Sequence, residues 1–251
     1  MAGHNKWSKV KRLKGALDQK RGKLFSKLAK EITVATKMGG GDPDGNPRLR
    51  SAILAARAQS MPGDNIDRAI RRGTGEGSDA GSLEELIYEG YGPGGVALLI
   101  EVATDNKNRT AADLRLIFSK NHGNLASSGA VAYLFQKKGT LTVPTAAILE
   151  ERMLELALEA GAEELTRDDT HHVITTSADK LYAVAEALRS AGVASDSQRL
   201  TFIPGTIVTV HDEVVAAQAV RLIDALEDND DVQNVHTNFD APEEVLARIS
   251  G

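Results

Sequence analysis

The feature that most narrows the fold is a run of alternating strand and helix patterns between residues 140 and 204. Strands are predicted over 140–143, 163–166, 171–176 and 197–203, and helices over 145–160 and 178–191. The order β-α-β-β-α-β is the split-βαβ, ferredoxin-like plait. Half of a second such motif stands on either side. A strand of the buried type over 96–102, a helix over 110–120 with Leu114, Ile117 and Phe118 inward, and a strand over 131–136 make one half. A strand over 206–210, a helix over 213–226 and a strand over 232–238 make the other. Two halves flanking a complete motif predict that one plait is inserted into the other. Two unrelated α+β lobes, or one large mixed sheet, are the alternatives.

The first eighty residues read as helical. Over 20–38 the pattern is amphipathic: Lys20, Lys23, Lys27 and Lys30 share one stripe, and Leu24, Phe25, Leu28 and Ile32 lie on another arc. Gly39-Gly40-Gly41 ends this helix, and Asp42-Pro43-Asp44-Gly45 makes a turn. Asn46 as N-cap and Pro47 at the first helical position start a second helix over 47–60, with Leu49, Ile53 and Ala56 as its core positions. After Met61-Pro62-Gly63, Asp64 is expected to cap a third helix through Ile66 and Ile70, ended by Gly73. The Gly- and Ser-rich stretch 74–82 reads as an interdomain linker. The resulting partition is a basic helical domain over 1–80, a discontinuous α+β domain over 81–138 with 205–251, and an inserted ferredoxin-like α+β domain over 139–204.

At 251 residues and 41% hydrophobic content the chain can bury a substantial core. No window approaches eighteen uninterrupted apolar residues, and the N-terminus lacks an apolar h-region, so neither a membrane span nor a secretory signal is expected and the location reads as cytoplasmic. With no cysteine there is no disulfide, thiol nucleophile, iron–sulfur cluster or cysteine zinc site. The net charge of −5 conceals an asymmetry. Residues 1–40 hold eleven Lys/Arg against two Asp/Glu, residues 41–80 are balanced, and residues 81–251 hold thirteen basic against twenty-seven acidic side chains. A basic head on an acidic body points to an anionic partner for the head. A solubilising tail, or a clasp of the head onto the acidic body, is the alternative.

The head supplies the main candidate site: Lys6, Trp7, Lys9, Lys11, Arg12, Lys14, Lys20, Arg21, Lys23, Lys27 and Lys30. Lysine, a flexible point charge, suits phosphate tracking more than base reading, so nucleic acid is the preferred partner and a solvated helix face the competing one. A secondary candidate is the loop Asn106, Lys107, Asn108 and Arg109, whose donors suit phosphates; Thr110 or Asn108 is expected to cap the helix that follows. Gly90-Tyr91-Gly92-Pro93-Gly94-Gly95 matches G-x-G-x-x-G, but it precedes a strand rather than a helix and reads as a turn. His171 and His172 point to opposite faces of a strand and cannot share an ion. Asp228, Asp230 and Asp231 follow a helix and read as a solvated turn. The stretch 128–135 lacks the basic residue and first aromatics of an RNA-reading strand. The second helix of the head offers base edges only Arg48, Arg50, Arg57 and Gln59. No catalytic constellation is seen, and neither a metal nor a cofactor is expected.

Several motifs together resemble the YebC/PmpR family. They are Ala2-Gly3-His4-Asn5-Lys6-Trp7-Ser8, Lys20-Arg21-Gly22-Lys23, Gly39-Gly40-Gly41-Asp42-Pro43, Met61-Pro62-Gly63-Asp64-Asn65-Ile66, Tyr88-Glu89-Gly90-Tyr91-Gly92-Pro93-Gly94-Gly95 and Thr104-Asp105-Asn106-Lys107-Asn108-Arg109-Thr110. The similarity runs over nearly the whole chain. It departs at Leu13-Lys14-Gly15-Ala16-Leu17, where members carry further basic residues. The resemblance implies an N-terminal three-helix domain with two plait domains and no enzyme activity. It also implies DNA-binding transcriptional regulation or, as in a mitochondrial translational activator of cytochrome oxidase, a factor acting on the ribosome through rRNA or mRNA. Duplex DNA and ribosomal RNA both stay open as partners, as does the oligomeric state.

Overall fold

The computed structural model describes residues 6–7, 21–76 and 83–249. The head is a three-helix unit of α1 (Arg21–Gly39), α2 (Pro47–Ala58) and α3 (Gly63–Thr74). It closes on Ile32, Ala35, Leu49, Ile53, Ala56, Met61 and Ile66, with Phe25 and Leu28 at the margin. Asn46 caps α2 as expected: its side-chain oxygen accepts from the Leu49 N–H at 3.1 Å, and its amide donates to the Ala35 carbonyl at 2.8 Å. One side chain thus ends α1 and begins α2. The third helix departs from expectation at both ends. Pro62 rather than Asp64 occupies the N-cap, and the helix runs past Gly73 to a left-handed Gly75. Gly73 serves close packing instead, since a Cβ there would lie 2.5 Å from Thr36 Cβ and 2.6 Å from the Thr33 carbonyl of α1. Of the expected linker, residues 77–82 lie outside the described residues.

The body contains two four-stranded antiparallel sheets. One has β5 (Glu164–Arg167), β6 (His171–Ser177), β4 (Phe135–Pro144) and β7 (Ser197–Pro204) side by side in that order. With α5 (Glu150–Glu159) and α6 (Leu181–Ser190) it is a ferredoxin-like plait around Leu141, Val143, Met153, Ile174, Leu181, Val184 and Leu188. The other sheet has the order β3 (Asn124–Ala126), β1 (Glu84–Tyr91), β2 (Ala97–Thr104), β9 (Val232–Thr237). Its helices are α4 (Lys107–Lys120) and α7 (Glu213–Glu227), and α8 (Glu243–Ile249) follows. All strands of the first plait fall, in sequence, between β3 and β9 of the second. One plait is inserted into the other.

The outer plait is assembled from different strands than the alternation suggests. The place expected for 206–210 is filled by β1, which pairs with both β2 and β3. β1 keeps a period of two, with Leu86 and Tyr88 packed on the core and Gly90 against Phe118. An alanine Cβ at Gly90 would come within 2.5 Å of Phe118 Cε1, so this glycine of the G-x-G-x-x-G match serves packing. Residues 208–209 form only a short parallel pairing, β8 (Val208–Thr209) with β10 (Phe239–Asp240). The stretch 131–136 is likewise not a separate strand: 132–134 is a 3-10 turn and Phe135 begins β4. The cause is Glu89 of β1. Its buried carboxylate accepts from the backbone N–H groups of Gly129 (2.6 Å), Val131 (2.7 Å) and Ala132 (2.8 Å), which holds 129–132 out of any ladder.

The ends of the insertion meet, because the Gly205 N–H donates to the Leu134 carbonyl at 2.8 Å. Joining residue 134 to residue 205 through a short Gly/Ser linker is therefore expected to leave the outer plait folded. Thermal unfolding followed by circular dichroism checks this. A cooperative transition supports independent plaits, and a chain without one shows that the sheets fold only together. The back of β2 touches the insertion through Ala97, Leu99, Phe135 and Phe202, so a lower melting temperature than that of the full chain is expected.

Candidate nucleic-acid interface

The head candidates fall into three groups. Lys9, Lys11, Arg12, Lys14 and Lys20 lie outside the described residues, and of Arg21 only the backbone is described. Lys6 is exposed. Trp7 is a correction: it is 3% exposed and packs edge-on against Phe239 with ring centroids 5.4 Å apart, while its backbone N–H donates to Asp240 Oδ1 at 3.0 Å. The indole belongs to the core of the outer plait, so it offers no face to a base. An aromatic that favours burial outweighs its basic neighbours in the chain.

The third group is Lys23, Lys27 and Lys30 on α1, which reach the C-terminal end of α7. Lys23 Nζ donates to the Asp228 carbonyl at 2.9 Å and to Asp228 Oδ1 at 2.5 Å. Lys27 Nζ donates to the Glu227 carbonyl at 2.7 Å. Lys30 Nζ donates to the Asp230 carbonyl at 2.7 Å and to Asp231 Oδ1 at 2.8 Å. The last carbonyls of a helix lack intrahelical partners and carry the negative end of its dipole, so ammonium groups are favoured there. In this structure the stripe is engaged by the body, as the clasp alternative has it.

The secondary loop converges on the same place. Asn106, rather than Thr110 or Asn108, caps α4 by accepting from the Arg109 N–H at 3.1 Å. Asn108 is exposed, and Lys107 pairs with Glu84 at 2.6 Å. Arg109 donates to Asp231 Oδ2 at 3.0 Å and to Asp105 Oδ1 at 2.9 Å. The Thr110 and Thr104 hydroxyls donate to Asp231 Oδ2 at 2.8 and 3.2 Å. Asp231 is therefore not part of a solvated turn. It is 6% exposed and joins the head, the 104–110 loop and β9. Burial alone would push its carboxyl up, but hydrogen bonds from Lys30, Thr110 and Arg109 and the Lys30 charge bring it down to about 2. Both oxygens are occupied by donors, so the group is a poor base and acts as an anchor. Three aspartates within four residues after a helix gave no local sign of this, because the donors come from residues more than a hundred positions away.

A second tie lies at the far end of α1. Arg48 of α2 pairs with Glu31 of α1 at 2.8 Å and with Glu85 of β1 at 2.5 Å. Burial works against its charge, but hydrogen bonds from Arg48 to Glu85 and Glu31 hold its pKa above the usual value. This withdraws Arg48 from the base-reading positions of α2. Arg50 and Arg57 remain exposed on that helix.

Between α1 and α3 runs an open groove of about 380 Å³, floored by Phe25, Ala29, Met61 and Ala69 and flanked by Lys30, Arg68 and Arg72. Arg68, Arg71 and Arg72 are exposed, and no carboxylate lies within ion-pair distance of them among the described residues. Sequence reasoning had passed over these three. Among the described residues no group of three His, Asp or Glu could hold a metal ion, and no helix is long and apolar enough to cross a membrane.

Comparison with known proteins covers both parts of the chain. The family model described as the TACO1/YebC protein N-terminal domain matches residues 5–76, and that of the TACO1/YebC second and third domain matches residues 83–239. A probable transcriptional regulatory protein of Desulfotalea psychrophila is 53% identical over 251 residues, covering 100% of both chains. One of Rubrobacter xylanophilus is also 53% identical, again over 100% of both. The crystal structure of a conserved hypothetical protein from Aquifex aeolicus superposes with a TM-score of 0.84 at 48% identity, covering 91% of this chain and 94% of that one.

Proposed function

Since the chain belongs to the TACO1/YebC family, whose curated relatives are named probable transcriptional regulatory proteins, we propose that it is a non-enzymatic regulator of gene expression that binds duplex DNA through its three-helix head. The observation that carries this reading is the exposed arginine row Arg68, Arg71 and Arg72 beside the groove of α1 and α3. The carboxylates of α3, Asp64 and Asp67, sit toward its N-terminal end, which leaves the C-terminal half cationic. Arginines in such a row match phosphate oxygens in pairs, and the lysines of the N-terminal segment add charge. A regulator of this kind acts by occupancy: phosphate contacts place the head on the duplex, and few side chains are left to read bases.

Replacing Arg68, Arg71 and Arg72 together by glutamine is expected to weaken duplex binding about tenfold at low salt. It should also reduce the slope of log affinity against log salt by about 0.9 for each phosphate that the variant no longer neutralises. Fluorescence anisotropy with a labelled duplex across a salt series measures both. An unchanged slope would remove the arginine row from the interface. Co-sedimentation with ribosomes, undiminished in the same variant that loses duplex binding, would instead favour a translational role for the body.

A further inference from the structure

The head meets the body through an interface that is mostly ionic. The apolar contacts joining them are few: Val34 of α1 against Leu83 and Ala103, and Trp7, ahead of α1, in the core of the outer plait. Around it stand Lys23, Lys27 and Lys30 on the α7 terminus, Lys37 on the Leu83 carbonyl at 3.0 Å, and Arg48 on Glu85. Lys23 and Asp228 are 37% and 73% exposed at their side chains, so water and salt reach that contact. Lys30 and Asp231, at 20% and 9%, form the buried end of the same row. A half-exposed ion pair such as Lys23–Asp228 contributes little and is screened by salt, so the Lys23 end of the row is the weaker one.

We infer that the end of α7 is an internal mimic of a polyanion, holding the Lys23–Lys27–Lys30 stripe in a latched state that nucleic acid opens by competing for the same lysines. This rests on the nucleic-acid reading of the head and adds its regulation. The geometry supports it in two ways. The three ammonium groups, spaced by four and three residues along α1, each donate to a backbone carbonyl, and Lys23 and Lys30 donate to a carboxylate oxygen as well. A row of anionic oxygens is also what a phosphate backbone presents, so the two ligands exclude one another on the stripe. Lys30 of the stripe also lines the groove with Arg68 and Arg72, so its release would extend the arginine row across the groove. The protein then carries a threshold: short or weakly charged anions leave the head latched, and a polymer with many phosphates does not.

The chain has no cysteine, so two labels can be placed uniquely. Ala55→Cys on the head and Glu244→Cys on α8, both exposed positions, report the head–body distance by fluorescence transfer in the full-length protein. Three results are expected. Duplex DNA lowers transfer in the labelled parent protein, and inorganic phosphate at equal charge does not. Asp228→Asn lowers transfer without DNA and raises duplex affinity about three- to tenfold, since a latched state taxes binding in proportion to its population. Glu151→Gln on α5 removes the same charge elsewhere and leaves both readings unchanged. Transfer unchanged on saturation with duplex would overturn the latch while the binding reading stands. So would an Asp228→Asn protein that opens yet binds no more tightly. If neither the parent nor the opened variant binds duplex, the nucleic-acid reading falls and the latch with it.

Discussion

Replacing Asp231 by alanine is expected to destabilise the protein by about 3 kcal/mol, the usual consequence of removing one partner from a buried, hydrogen-bonded charge cluster. For a chain of this size that corresponds to a fall of about 6–12 °C in melting temperature. The carboxylate is 6% exposed and accepts from Lys30, Arg109, Thr104 and Thr110. Alanine would leave the two threonine hydroxyls facing a void and two cations facing each other. Asp231→Asn keeps the shape and one acceptor, so about half that loss is expected. The pH dependence has a definite sign. Because the folded carboxyl is held at about 2, its stabilisation is present above the unfolded value of about 3.9 and fades as the pH falls from there toward 2. The Asp231→Ala protein should lack that part of the acid transition. An alanine variant within about 0.5 kcal/mol of the parent in urea denaturation would show that the cluster is incidental.

The inserted plait was legible because everything that defines it is local. Its strands and helices alternate within seventy residues, its order follows from the chain, and apolar residues such as Leu141, Ile174 and Leu188 mark its inner face. The outer plait was only half legible. The sequence pattern assigns no element to β1: it carries Glu84, Glu85, Glu89 and Gly90, residue types depleted in strands, yet each has a long-range partner that makes it a strand. Glu84 and Glu85 pair with Lys107 and Arg48, Glu89 holds the 129–132 loop, and Gly90 admits Phe118. The same limit applies to the candidate site. The basic stripe of α1 was visible from its spacing, but its partner at the end of α7 is about 200 positions away. Nothing in the periodicity of either helix says that the two meet. Trp7 and Phe239 make the same point from the apolar side.

Glu89→Gln is expected to cost about 2–4 kcal/mol, comparable to the loss at Asp231. The native carboxylate, 4% exposed, accepts three backbone N–H bonds and needs both oxygens to do so. Glutamine offers one oxygen and turns an NH₂ group toward donors, so at least one of the three N–H groups loses its acceptor and faces another donor. Burial pushes the Glu89 carboxyl up, but the N–H groups of Gly129, Val131 and Ala132 outweigh it and leave the pKa below the usual glutamate value. Its contribution is therefore complete above the unfolded value of about 4.3 and is lost as the pH falls below that. The glutamine variant should be less stable at neutral pH and should lose less on acidification. Hydrogen exchange separates this local effect from a general weakening. The amides of Gly129, Val131 and Ala132 should exchange faster in the variant, while amides in the inner sheet, such as Ile174, keep the protection their own plait provides. Equal acceleration at Ile174 would mean that the two plaits unfold as one unit, and the loop would then be a seam within a single domain rather than the joint between two.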